Sequence, residues 1–168
     1  MAEWQATLQA VGLAMSGDRE AGLAALMRAW EETREGDHAR RCVIAHYVAD
    51  LQPSLEDEVR WDEVALAEHA HVADADLAPV GITSAAGMAP SLHLNLGDGY
   101  LRQGRRREAE AELEKGLQQR HELPADGYGD MIRGGLDRLR SRLDEATREE
   151  DGEAWPVPGW VGDPARGA

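Results

Sequence analysis

Apolar residues recur along the chain at intervals of three and four, the period of an amphipathic helix, and no stretch reads convincingly as an alternating strand. Trp4, Leu8, Val11 and Met15 predict a first helix over 2–16 that closes near Gly17. Asp18 is an N-cap residue type, Glu20 puts an acid in the first turn, and Leu23, Leu26, Met27 and Trp30 form the next stripe. That second helix is predicted to run to about Glu35 and stop at Gly36. Asp37 opens a third, buried through Val43, Ile44, Tyr47, Val48 and Leu51 and ended by Pro53. Ser54 with Asp57 three residues on resembles a capping box, opening a fourth helix through Val59, Val64, Leu66 and Val72.

Two prolines and two glycines in residues 77–90 predict a loop, its later part joining the following helix. A fifth helix is expected over about 90–103, a turn at Gly104, and a sixth over about 106–120. Pro124 precedes a seventh, with Tyr128, Met131, Ile132, Leu136, Leu139 and Leu143 on one side. Periodicity fades from Glu149, so residues 1–148 read as the helical domain. Residues 149–168, with Trp155-Pro156-Val157-Pro158-Gly159-Trp160, read as an extended tail able to lie in an apolar groove. The fold class expected is all-α, about seven helices paired into antiparallel hairpins.

Composition narrows the function classes. Acids outnumber Lys and Arg 32 to 18, a net charge of -14, which opposes general binding to a phosphate backbone. The imbalance is concentrated early: residues 1–100 hold 17 acids and 6 bases. No run approaches the roughly 20 apolar residues of a bilayer span, and the start lacks the basic and apolar character of a secretion signal. One cysteine, Cys42, excludes an internal disulfide. A cytoplasmic protein without membrane or nucleic-acid partners is expected, and 17 arginines against the single Lys115 fit a GC-rich bacterial genome.

Helices of this length with short turns call for a test of internal repetition. In segment 92–117 the bulky Leu96 and Tyr100 alternate with the small Gly97 and Ala109, Gly104 turns the chain, and Leu113 and Leu117 fill the gap. Glycine costs about 1 kcal/mol inside a helix relative to alanine, so Gly97 implies close backbone approach. Ala10, Leu13, Gly17, Gly22, Leu26 and Ala29 lie 87 residues before a set of matching size, Gly97, Tyr100, Gly104, Ala109, Leu113 and Gly116. Between them, Ile44-Ala45 matches Leu96-Gly97 at a spacing of 35 residues from Ala10. Trp61-Asp62-Glu63-Val64 reads as the start of a returning helix.

Segment 92–117 resembles a tetratricopeptide repeat in Asn95-Leu96-Gly97, Tyr100, Gln103-Gly104, Glu108-Ala109 and Leu113. His93 and Gly116 depart from the family pattern, as does the lateness of Pro124. The resemblance covers about residues 3–120 as three units, the middle one irregular, with the last helix as a cap. It implies an α–α superhelix whose first helices line a concave groove that holds a peptide. Carried over by position, the groove candidates are Trp4, Thr7 and Val11, then Ala39, Cys42, His46 and Ala49, then Ser91, Leu94, Asn95, Asp98, Leu101 and Arg102. The partner expected is a protein or peptide with basic segments, and self-association through an end hairpin is a second mode. No cofactor is implied.

Metal and catalytic readings compete with this. His38, Cys42 and His46 recur every four residues, with Asp50 beyond, but three in line span about 12 Å of helix, too far for one ion. Two of them would need His69, His71 or Asp98 as further ligands. The alternative function is a small-molecule or metal-dependent enzyme or binding protein with His46, His93 and Asp98 converging in the concavity. Arg105-Arg106-Arg107 is a short basic turn among glutamates, insufficient for nucleic acid.

Overall fold

The structure, a computed structural model, describes residues 2–82 and 84–153. Among them the regular structure is helical throughout: α1 (Ala2–Met15), α2 (Arg19–Glu31), α3 (His38–Asp50), α4 (Leu55–His69), α5 (Asp74–Leu77), α6 (Ala89–Arg102), α7 (Arg106–Gln118) and α8 (Gly127–Glu153). The one-turn α5 and a 3-10 turn at Ala78–Val80 lie where the proline and glycine content predicts loop. Leu77, fully buried, anchors them to the core.

Local chemistry sets the boundaries. Gly17 takes φ 94° and Asp18 accepts a hydrogen bond from the Ala21 amide at 3.0 Å, so the first turn and second helix start as expected. Helix α2 stops at Glu31, short of Glu35: the Thr33 hydroxyl donates to the Trp30 carbonyl and the Asp37 carboxylate accepts from the Arg34 amide. Side chains that bond the backbone locally compete with helix continuation. Asp37 therefore precedes α3 without capping it through its side chain. Ser54 accepts from the Asp57 amide at 3.1 Å. Ser54→Ala is expected to cost about 1 kcal/mol in urea unfolding. Helix α4 ends at His69, before Val72, and His69 Nε2 donates to the Ala85 carbonyl at 2.8 Å. Helix α8 continues to Glu153, past the fading of the apolar pattern at Glu149. The Trp155 and Trp160 tail lies outside the described residues.

Helices α1 and α2, α3 and α4, and α6 and α7 pair as hairpins; α3 also packs on α1 and α2, α6 on α4, and α8 on α6 and α7. The third hairpin is antiparallel, with Gly97 beside Ala109 and Glu112 and Gly116 beside His93. Segment 92–117 is thus two helices about Gly104, which takes φ 75°. Small residues bring the helices together. A Cβ on Gly22 would stand 2.6 Å from the Ala14 backbone, and one on Gly135 would stand 2.4 Å from Leu94, so α8 rests its backbone on α6. The core follows the layers, with Leu26, Ile44 and Val48 joining the first two hairpins and Leu96, Leu113, Leu136 and Leu139 joining the third to α8. Tyr128 and Met131 do not share the buried side of α8; they are exposed while Ile132, Leu136, Leu139 and Leu143 are buried.

Candidate functional site

A chamber of about 400 Å³ opens where α3, α4, α6 and α8 meet. Asp50 comes from the last turn of α3, Glu58 from the first turns of α4, Leu94, Asn95 and Asp98 from α6, and Gly135, Arg138, Leu139 and Arg142 from α8. The volume falls in the range of about 300–1,000 Å³ seen for ligand pockets. Its charges are partly matched. Arg102 Nη1 meets Glu58 Oε1 at 2.5 Å and Asp98 at 3.7 Å, and Arg142 donates to Asp98. Among the described residues Asp50 and Arg138 line the chamber without such a pair.

Behind the lining stands Asp62, 3% exposed on the buried face of α4 with Val59 and Ala65. Among the described residues its Oδ1 has no hydrogen-bond partner. Burial first, then the nearby Asp50 and Glu58, push its carboxyl up to about 8, against the pull of Arg102 and a hydrogen bond with Asn95. It therefore holds its proton at neutral pH. Burial likewise raises Asp50, opposed by His46 and Arg19. His46, half-buried on α3, keeps an unpartnered Nδ1 shut from solvent, and burial lowers its basicity against the influence of Asp50.

The sequence candidates divide on this geometry. Leu94, Asn95 and Asp98 line the chamber, and Arg102 pairs with two of its acids. Leu101 packs partly buried on the core around Leu96, and Trp4 on the core around Cys42. Cys42 is a correction: it is fully buried rather than groove-facing, and burial, with Glu68 nearby, pushes its thiol up to about 12. The turns of α3 also separate the ligand-like series. His38 Nδ1 bonds Glu68 at 2.7 Å, Cys42 enters the core, and only His46 lies by Asp50. Arg41 ties to the same Glu68 and lies 4.1 Å over the Trp30 ring.

Convergence of His46, His93 and Asp98 is also corrected. His93 is buried against α7, its Nδ1 2.7 Å from Glu112, while Asp98 faces α8. Burial works to raise the Glu112 carboxyl, but hydrogen bonds from His93 and Lys115 outweigh it and hold it below the ordinary glutamate value. Among the described residues no group of three or more His, Cys, Asp or Glu is placed to hold a metal ion. Arg105 stacks 4.0 Å over Tyr100 and pairs with Glu108, and Arg106 pairs with Glu110, so two of the three arginines in the basic turn are matched by their neighbours.

Asp62 is not among the site candidates that the sequence offers, though one signal marks it. It falls between Val59 and Leu66 at spacings of three and four, an acid on an apolar stripe. Comparison with family models, with curated proteins and with solved structures found no match. No described helix is long and apolar enough to cross a membrane.

Proposed function

We propose that the chain is a tetratricopeptide-like adaptor or regulator, its hairpins the units of an α–α superhelix, that binds a protein segment and performs no chemistry of its own. The observation that carries this is the chamber, to which four helices from successive layers contribute and in which acids face solvent. The hairpin pairing supports the repeat reading, since each hairpin packs on the next one and the last is covered by α8. The segment bound is basic, in keeping with the net charge of -14, and the setting is cytoplasmic. Leu8, Leu13 and Met15 stay exposed on α1, the surface that would carry self-association through an end hairpin.

Selection of a displayed peptide library on the purified chain tests the reading. Selected segments are expected to lose at least about ten-fold in affinity on Leu94→Ala and Asp50→Asn, which alter the chamber wall. The exposed Arg107→Ala on α7 serves as control. Binding should also weaken as salt rises. A library yielding no segment, or segments indifferent to both wall variants, would remove the proposal.

A further inference from the structure

Among the described residues two buried side-chain atoms lack a hydrogen-bond partner, Nδ1 of His46 and Oδ1 of Asp62. Nitrogen and oxygen atoms in that state are uncommon in folded proteins, because each forgoes the bonds water would give it. A buried carboxyl is the costlier of the two, and an asparagine or a leucine at position 62 would avoid the cost. Its surroundings show what would repay it. Asn95 lines the chamber and lies near enough to Asp62 to pull its carboxyl pKa down, so the lining is one side chain away from the buried acid. At the rim Asp50 makes no ion pair among the described residues, whereas Glu58 and Asp98 already hold Arg102 and Arg142.

We infer that the chamber is the receptacle for one arginine side chain of the bound segment, its guanidinium held at Asp50 and Asn95 and neutralised by Asp62 behind them. This rests on the segment-binding function proposed above. A guanidinium suits the place because its planar fork serves two acceptors at once and it sheds water more readily than an ammonium. Leu94 and Leu139 supply apolar wall for the methylene stem.

A cation at the lining favours the charged form of Asp62, so the proton that the buried carboxyl carries at neutral pH passes to solvent on binding. Affinity should then rise with pH through the neighbourhood of 8. The titratable and charged groups around Asp62 are Asp50 and, one turn earlier, His46 on α3, Glu58 on α4, and Asp98 and Arg102 on α6. Arg138 and Arg142 of α8 stand across the chamber. Burial lowers the basicity of His46, against the influence of Asp50.

The probe is N-acetyl-argininamide, with N-acetyl-citrullinamide as its uncharged isostere, titrated into the full chain and followed by amide NMR shifts at pH 6.5 and 8.5. The arginine compound is expected to bind at least ten-fold more tightly, and several-fold more tightly at the higher pH. Asp62→Asn should weaken it about five-fold or more and flatten the pH profile, with circular dichroism unchanged. Asp50→Asn, at the chamber lining, should weaken it while leaving a pH dependence. Equal binding of citrulline, or a pH profile that survives Asp62→Asn, would overturn the inference. Library segments that need the chamber wall yet carry no arginine would remove it while leaving segment binding intact. Argininamide binding without any selected segment would do the reverse.

Discussion

Asp62→Asn is expected to stabilise the folded protein, by little near pH 4.5 and by several kcal/mol at pH 8.5. In the unfolded chain the carboxyl ionises near its ordinary value of 3.8, and in the folded chain at about 8. Between those values the folded state holds a proton that the unfolded state has released, so folding is progressively disfavoured as pH rises. Each unit of that interval is worth about 1.4 kcal/mol, which sets a ceiling of about 6 kcal/mol once both states are ionised above pH 8. Below about pH 4 both states are protonated and the penalty vanishes. Asparagine keeps the shape and the capacity to bond Asn95 but cannot ionise, so the difference between variant and wild type should climb with pH. Urea unfolding of both proteins at half-unit intervals from pH 4.5 to 8.5 measures it. A difference that stays flat with pH would show that Asp62 does not ionise in a buried setting. A substitution that strengthens the fold and weakens binding is the pattern expected of a residue kept for function at the expense of stability.

The helices were legible because their signals are local. Ser54 and Asp18 cap, Gly17 and Gly104 turn, and the apolar stripes repeat within a few residues. The mispredicted ends are those where a side chain recruits a distant or non-helical backbone group. Asp37 takes the Arg34 amide, and His69 reaches the Ala85 carbonyl across sixteen positions. Composition could not show that Leu77 is buried deeply enough to impose a turn of helix on a segment rich in proline and glycine. The chamber was half legible. Residues Leu94, Asn95 and Asp98 share one face of α6 and are legible from its period, but Arg138 and Arg142 depend on where α8 lands, and that is fixed by Gly135 sitting on Leu94. Glycine pairs in a helix announce close approach without saying to what. Tyr128 and Met131 are exposed although Gly129 and Ile132 beside them are buried, because the covered face of α8 is narrower than its apolar pattern.

Leu136→Ala is expected to cost about 3–5 kcal/mol and to release α8 before the rest of the protein. Leu136 is fully buried, its Cδ2 lying 2.9 Å from where a Cβ on Gly116 would stand, between α8 and the third hairpin. Truncating a buried leucine loses the transfer free energy of its methyl and methylene groups and leaves a cavity that the close approach of α7 can only partly fill. The neighbouring Met131, 58% exposed one turn or so earlier on the same helix, should change stability by less than about 0.5 kcal/mol when cut to alanine. Because α8 packs on α6 and α7, the last pair in a stack of hairpins, the loss is not shared evenly. Amide exchange in the Leu136→Ala protein should quicken first along α8, then in α6 and α7, with α1 and α2 keeping wild-type protection under mild denaturant. Uniform acceleration over all helices would instead mark a single cooperative unit and weaken the case for a repeat architecture. The same variant links the cap to the site. Gly135, Arg138, Leu139 and Arg142 form one wall of the chamber, so any segment bound there should lose affinity with an α8 that opens more often, and a saturating ligand should slow amide exchange along α8 again.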